Sequence, residues 1–203
     1  MRKLTEYGEK LDRDFYMRDA VQVAVELLGK RLIRVVDGVP LVAEITETEA
    51  YTGVNDKASH AYGGRLTQRT RVMYQIGGYA YIYLIYGIHS MLNVVTGPKN
   101  DPCCVLIRMA EPLEGLDSIA LNRYGKEYDK LGKVRRKGLL DGPGKICQGF
   151  GLRTEHSGMD LTGDELFLAE PREQNPRVVR EGKRINIDYA EEAADFLYRF
   201  YVE

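Results

Sequence analysis

Two strand-forming runs flank one Asp-Gly pair, and no other local feature of this 203-residue chain restricts its fold as much. Arg31-Leu-Ile-Arg-Val-Val36 precedes Asp37-Gly38, and Leu41-Val-Ala-Glu-Ile-Thr46 follows it. A two-residue loop that matches the twist of paired strands needs positive φ at both central positions, which Asp and Gly tolerate, so the stretch predicts an antiparallel hairpin. Alternation along the second strand puts Val42, Glu44, Thr46 and Thr48 on one face. Leu41, Ala43, Ile45, Glu47 and Glu49 fall on the other, so Glu49 is expected to continue an apolar face at or just past the strand end. Glu44 and Glu47 read as ordinary surface glutamates.

The rest of the chain alternates short elements with loops. Residues 1–18 read as an irregular lead-in. Asp19 with Gln22 three residues on suits a helix N-cap, the apolar residues Ala20, Val21, Ala24, Val25, Leu27 and Leu28 suit one helical face, and Gly29 closes it. Residues 52–72 form a long polar loop, and loops of that length inside a compact domain are usually functional. Residues 78–95 are β-rich with one break at Gly87, and residues 105–108 form another short strand. A helix is expected over 113–121, and Pro143 stands where a further helix would begin. The C-terminal third offers short segments at 166–168, 184–187 and 199–202. The pattern predicts one α+β domain over 1–203, a curved, open-barrel-like antiparallel core flanked by short helices.

Composition excludes several classes. Hydrophobic residues make up 44% and charged residues 29%, ordinary globular usage that argues against disorder. The N-terminal ten residues carry charge of both signs and no apolar core, so neither a secretory signal nor a membrane span is expected. Three cysteines, two of them adjacent at Cys103 and Cys104, do not make a disulfide framework, and three scattered histidines give little support to zinc. No metal and no cofactor are expected, and the compartment expected is a reducing cytoplasm, on the nucleoid in a bacterium. The net charge is -1, yet basic residues concentrate at 65–71 and 123–137. A solvated loop and a nucleic-acid contact are both open for the second stretch.

Several side chains could carry chemistry. Glu49, at a half-buried strand end beside Tyr51, suits a general base, against the ordinary alternative of a surface glutamate. His60 lies in the polar loop, where binding residues concentrate, although an exposed histidine is the plainer case. Tyr81 and Tyr83 share a strand face with Tyr79 beside them, a pattern that suits sheet packing or a stacking platform for a base. Tyr86 precedes Gly87 and can project from a turn. Asn93 sits in an apolar run and needs a partner or a recognition role. Arg108 could orient an anion or pair with Glu111 or a neighbour. Gly142-Pro-Gly-Lys145 presents backbone donors and a lysine at a helix start without the spacing of a triphosphate loop.

In combination these residues are far more specific. The chain resembles the alkyladenine (3-methyladenine) DNA glycosylase family, the type found in mammals and many bacteria. The resemblance runs in order through Glu47-Thr-Glu-Ala-Tyr51, His60 with Gly63-Gly-Arg65, Tyr81-Ile-Tyr-Leu-Ile-Tyr-Gly87, Asn93, Cys104-Val-Leu-Ile-Arg108 with Glu111-Pro-Leu-Glu-Gly115, Gly142-Pro-Gly-Lys-Ile-Cys-Gln148 and Arg199-Phe-Tyr201. It implies a monomeric, monofunctional enzyme that flips a damaged purine out of duplex DNA and hydrolyses its N-glycosidic bond. It also implies roles. Glu49 would be the general base for a water held also by Arg108 and the Ile185 backbone carbonyl. Tyr51, His60, Tyr83 and Asn93 would line the base pocket. Tyr86, followed by Ile88, would enter the DNA stack, and Arg65 and Lys145 would hold the DNA backbone. The chain departs from the mammalian pattern at Ile88 and His89, at a slightly longer 96–102 segment, and at Asn186 and Ala193, where Gly and Trp stand in those members.

The physics agrees with the resemblance. Alkylation at purine N3 or N7 makes the base cationic, and each aromatic face adds roughly 0.5–2 kcal/mol of cation–π attraction. The sugar C1′ is unreachable while the base is stacked, so flipping is required. Two other classes use the same residues: a non-catalytic nucleic-acid binding module and a small-molecule hydrolase with an aromatic pocket. Glu49 separates the first, because a carboxylate facing the base pocket hinders phosphate binding. The basic stretches separate the second, since a small substrate leaves them without use.

Overall fold

The computed structural model describes residues 7–172 and 177–203; residues 1–6 of the expected lead-in lie outside it. Helices α1 (Arg13–Tyr16), α2 (Ala20–Glu26), α3 (Leu116–Tyr124), α4 (Lys133–Lys137) and α5 (Pro143–Gly149) flank a sheet. Its strands are β1 (Arg31–Val36), β2 (Val39–Tyr51), β3 (Ala80–Ile85), β4 (His89–Thr96), β5 (Cys103–Glu114), β6 (Leu166–Ala169), β7 (Val179–Gly182) and β8 (Arg199–Val202). All pairings are antiparallel, in the order β3-β4-β5-β2-β1-β6. Near its end β2 exchanges β1 for β8 as its second neighbour, and β7 adds to β8. The sheet curls into a half-barrel, as the α+β reading expected. No helix among the described residues is long and apolar enough to cross a membrane.

The hairpin forms where Asp37-Gly38 sits, with φ of 51° and 78° at its two loop positions and Val36 opposite Val39. Asp19 caps α2 by accepting from the Val21 and Gln22 amides, but Gln22 bonds Glu26 rather than closing a capping box. The lead-in is less irregular than expected, because Asp12 caps the turn α1 through the Phe15 amide. Helix α3 begins at Leu116, not Leu113, since β5 runs on to pair Pro112 and Glu114 with β2. Gly115 takes φ 73° where the chain passes from β5 into α3, and a Cβ there would lie 2.6 Å from the Pro40 carbonyl oxygen, so only glycine fits. Residues 184–187 form no strand, because Asn186 takes the left-handed conformation at φ 59°. The basic stretch is the end of α3, a 3₁₀ turn at Tyr128–Lys130 and α4, with Lys130 paired to Glu127 and Arg136 to Asp129.

The main core lies between one sheet face and the helices. Ile45, Ala50, Ile82, Leu92, Val94, Val105 and Ile107 pack there with Val23, Leu27, Ile119, Ile146 and Phe150. Burying a side chain of this size contributes roughly 1.5–3 kcal/mol. On β3, β4 and the first half of β5 the intervening residues are therefore directed to the opposite face.

Candidate active site

That opposite face carries Tyr81 and Tyr83 on β3, Met91 and Asn93 on β4, and Cys104, Leu106 and Arg108 on β5. Glu49 and Tyr51 of β2 join them around a cavity of about 600 Å³. Simple alternation put Glu47 and Glu49 with Leu41, Ala43 and Ile45. The structure corrects this. The β2–β5 register slips on both sides of Glu47, and beyond this bulge Ala50 joins the main core while Thr48 donates to the Ala24 carbonyl of α2. The bulge inverts the phase of the strand and turns Glu47, Glu49 and Tyr51 away from the helices. It also corrects the reading of Glu47 as a surface residue: it is buried and bonded to Arg108 and Arg199.

Glu49 is fully enclosed, at 0% exposure. Its Oε1 accepts from the Ile185 amide at 2.8 Å, and its Oε2 from the Tyr51 hydroxyl at 2.9 Å. Arg108 Nη1 stands 3.4 Å from Oε2, while Arg108 Nε bonds Glu47 Oε1 at 2.9 Å. Burial raises the Glu49 pKa, and Arg108, the Ile185 amide and the Tyr51 hydroxyl only partly offset it; the Glu47 charge adds to the rise. Ile185 thus meets the carboxylate through its N–H, a contact absent from the reading that assigned only its carbonyl.

His60 reaches the cavity from the 52–72 loop, which winds through short 3₁₀ turns. Its Nδ1 is 2.9 Å from the Tyr81 hydroxyl, and its ring meets Tyr83 edge-on at 4.5 Å. The Arg69 side chain lies close to the same Tyr81 hydroxyl, and its charge favours ionisation of that group. Burial, with Arg69 and Arg65 nearby, lowers the His60 pKa to about 4, so the ring is neutral at pH 7. Asn93 is buried, with its amide donating to the Tyr81 and Met91 carbonyls at 3.2 and 3.4 Å. Its Oδ1 accepts from the Cys104 thiol at 3.8 Å, which burial keeps protonated by pushing its pKa up to about 12.

Tyr86 and Ile88 sit at the tip of the β3–β4 hairpin and are 79% and 73% exposed. Tyr86 holds φ 54°, an uncommon conformation for a bulky residue. Tyr86 lines the cavity mouth, as does Lys145, which pairs with Asp141 at 2.5 Å. Arg65 and Ile88 lie outside the cavity wall. Among the described residues no group of three His, Cys, Asp or Glu side chains is arranged to hold a metal ion.

A buried carboxylate inside an aromatic cavity with cations at its mouth is the local arrangement, and whole-chain comparison gives it a family. The model of the methylpurine-DNA glycosylase family matches residues 14–203. The chain belongs to this family. A protein of Clostridium acetobutylicum named "Putative 3-methyladenine DNA glycosylase" is 47% identical over 194 residues, covering 96% of this chain and 94% of its own. Proteins of the same name from Clostridium novyi and Clostridioides difficile are 45% and 42% identical, over 195 and 202 residues. They are covered over 96% and 100% of their lengths by 96% and 95% of this chain.

Asn186 takes φ 59°, which suits the expected departure from Gly at this position, because Asn and Gly are the residues that enter the left-handed region most easily. Sequence reasoning missed three groups at the site. Tyr189 lines the cavity, although most of its surface faces solvent. Glu47 shares Arg108 with Glu49. Arg184 and Asp56 form a wholly enclosed ion pair behind Tyr51. Their separation along the chain leaves no local signal, and only the tertiary fold joins them.

Proposed function

We propose that this glycosylase removes alkylated or deaminated purines, of the 3-methyladenine, 7-methylguanine, ethenoadenine and hypoxanthine kind, from duplex DNA by hydrolysis, leaving an abasic site. The observation that carries the reading is Glu49, a buried carboxylate with only part of a counter-charge in the wall of an aromatic cavity. Such a group is costly to keep and has a use where positive charge develops beside it.

In this reading the extruded purine lies among Tyr51, His60 and Tyr83, with Asn93 crowding the position of a guanine amino group. A water between Glu49, Arg108 and the Ile185 carbonyl attacks C1′ as the C1′–N bond breaks. The water oxygen bonds to C1′, its proton passes to Glu49, and the bonding pair leaves with the base. A cationic alkylated base departs neutral. The ionised carboxylate also stabilises the oxocarbenium-like sugar. Tyr86 and Ile88 occupy the gap in the stack, and Arg65 and Lys145 meet backbone phosphates. The enzyme acts as a monomer, in the cytoplasm, without metal or cofactor and without a lyase step.

The test is single-turnover release of free base from duplex DNA carrying one alkylated or deaminated purine. Wild type should release the base and leave the abasic strand uncut. Glu49→Gln should lose release by several orders of magnitude and keep its affinity for an abasic-site duplex, because the carboxylate acts in the chemical step. Near-normal turnover in Glu49→Gln would overturn the general-base role, and strand cleavage would overturn the monofunctional one.

A further inference from the structure

The geometry points to the buried Arg184–Asp56 ion pair as the positioning element of the Glu49 site, the part that keeps the Ile185 amide and the Tyr51 hydroxyl on the carboxylate. The inference rests on Glu49 acting as the general base.

The two side chains meet in a bidentate pair, Nη1 to Oδ2 at 2.5 Å and Nη2 to Oδ1 at 2.9 Å, and both are fully enclosed. Nη1 also donates to the Ala50 carbonyl at 2.9 Å and Nη2 to the Ala193 carbonyl at 3.0 Å. The guanidinium carbon lies 4.9 Å from the Tyr51 ring centre and 5.4 Å from that of Tyr198. Asp56 accepts from the Thr52 and Ala58 amides at 3.1 and 3.0 Å. One pair therefore ties three segments together: the end of β2, the loop that leads to His60, and the 184–193 segment.

Each of those segments brings a group to the cavity. Ala50 stands between Glu49 and Tyr51 in the chain, so its carbonyl fixes the strand from which both project. Ile185 follows Arg184, so the direction of its amide depends on where Arg184 is held. Buried ion pairs are poor sources of stability, because desolvation offsets most of their attraction. What a bidentate pair supplies is a fixed geometry. Arg34 is a matched contrast. It is also buried, and it donates to the Phe150 carbonyl at 2.5 Å and meets His156 at 2.9 Å, but neither residue lines the cavity.

The test is the pH profile of single-turnover excision for Arg184→Lys and Asp56→Glu. Both variants keep the two charges, so neither leaves an unpaired ion in the interior. The groups facing Glu49 are Arg108 from β5, Glu47 and Tyr51 from β2, Tyr83 from β3, the Ile185 amide, and Arg199 of β8 through Glu47. The variants should disturb only Tyr51 and Ile185, whose hydrogen bonds favour the ionised carboxylate. The acid limb should then move up by about one pH unit, a roughly tenfold loss below the limb that recovers above it. Arg34→Lys should lower the melting temperature without moving the limb, which separates positioning from folding.

A limb that stays in place or moves down while Arg184→Lys and Asp56→Glu stay folded overturns the inference. So does a uniform loss at every pH. Failure of the underlying reading looks different: Glu49→Gln would keep excision and the wild type would have no acid limb.

Discussion

Arg108 is hydrogen-bonded to Glu47 at 2.9 Å and only approaches Glu49, at 3.4 Å. One guanidinium thus serves two buried carboxylates two residues apart, and the bulge in β2 is what brings both to it. Arg199 supports Glu47 at 3.3 Å, so Glu49 receives the weaker share of positive charge. The arrangement leaves Glu49 less stabilised as an anion than a lone Arg108 partner would.

Glu47→Gln should therefore ease ionisation of Glu49. It removes a neighbouring negative charge that raises the Glu49 pKa, and it frees Arg108 to close on Glu49 Oε2. Because the working base is the ionised form, the acid limb of excision should move to lower pH, and the variant should exceed wild type at the foot of the limb. Single-turnover rates across the acid range measure this. A limb displaced upward would mean that Glu47 holds Arg108 in place for Glu49 rather than competing for it.

His60 should stay neutral through the neutral range, titrating at about pH 4. The linkage sign follows. The folded-state pKa lies below the unfolded value of about 6.5, so the unfolded chain takes up a proton that the folded one refuses. Stability is fully present above the unfolded value and falls as pH drops toward 4. Between pH 7.5 and 5 the wild type should lose more unfolding free energy than His60→Gln. After allowance for solvent at the cavity mouth, the excess is on the order of 1 kcal/mol. Ring-carbon NMR shifts of His60 against pH, with urea melts of both proteins, test the expectation. A midpoint near 6.5 would refute it.

The local devices of this fold are legible in its sequence. Asp37-Gly38, the Asp19 cap and Pro143 each work through neighbouring backbone atoms, so a few residues suffice to read them. The shared face of Tyr81 and Tyr83 is equally local, a matter of strand period. What could not be read depends on partners distant in the chain. The phase of Glu49 is set by a register slip against β5, and a bulge leaves no mark in a single strand's pattern. The 184–187 segment looks strand-forming, yet Asn186 breaks it and presents the Ile185 amide to Glu49 instead. Arg184 and Asp56 resemble any surface pair until the fold encloses them.

Duplex affinity should fall steeply with salt in spite of the net charge of -1. Counterion release counts local phosphate contacts, about 0.9 logarithmic units of slope for each phosphate neutralised. Lys145→Ala and Arg65→Ala should each reduce the slope of log affinity against log salt by about one unit. Neither should change the excision rate of DNA already bound. Fluorescence anisotropy at several salt concentrations gives the slopes. Unchanged slopes would take these two cations off the DNA path.

Tyr86 is held at the apex of the β3–β4 hairpin with its ring in solvent, and Gly87 beside it takes φ 71° to complete the turn. At 79% exposure the ring packs against little of the protein and is free to meet a partner. As a wedge it would fill the stack that the extruded purine leaves. Flipping costs a few kcal/mol of unstacking and unpairing, and least for a base already badly paired. Tyr86→Ala should therefore slow excision more from a stable pair than from a mismatch. Asn93→Ser should act inside the cavity, widening acceptance of guanine-type bases with no dependence on the opposing base. Single-turnover rates on duplexes that differ only in that base separate the two effects. Equal slowing by Tyr86→Ala on paired and mismatched lesions would remove the wedge role.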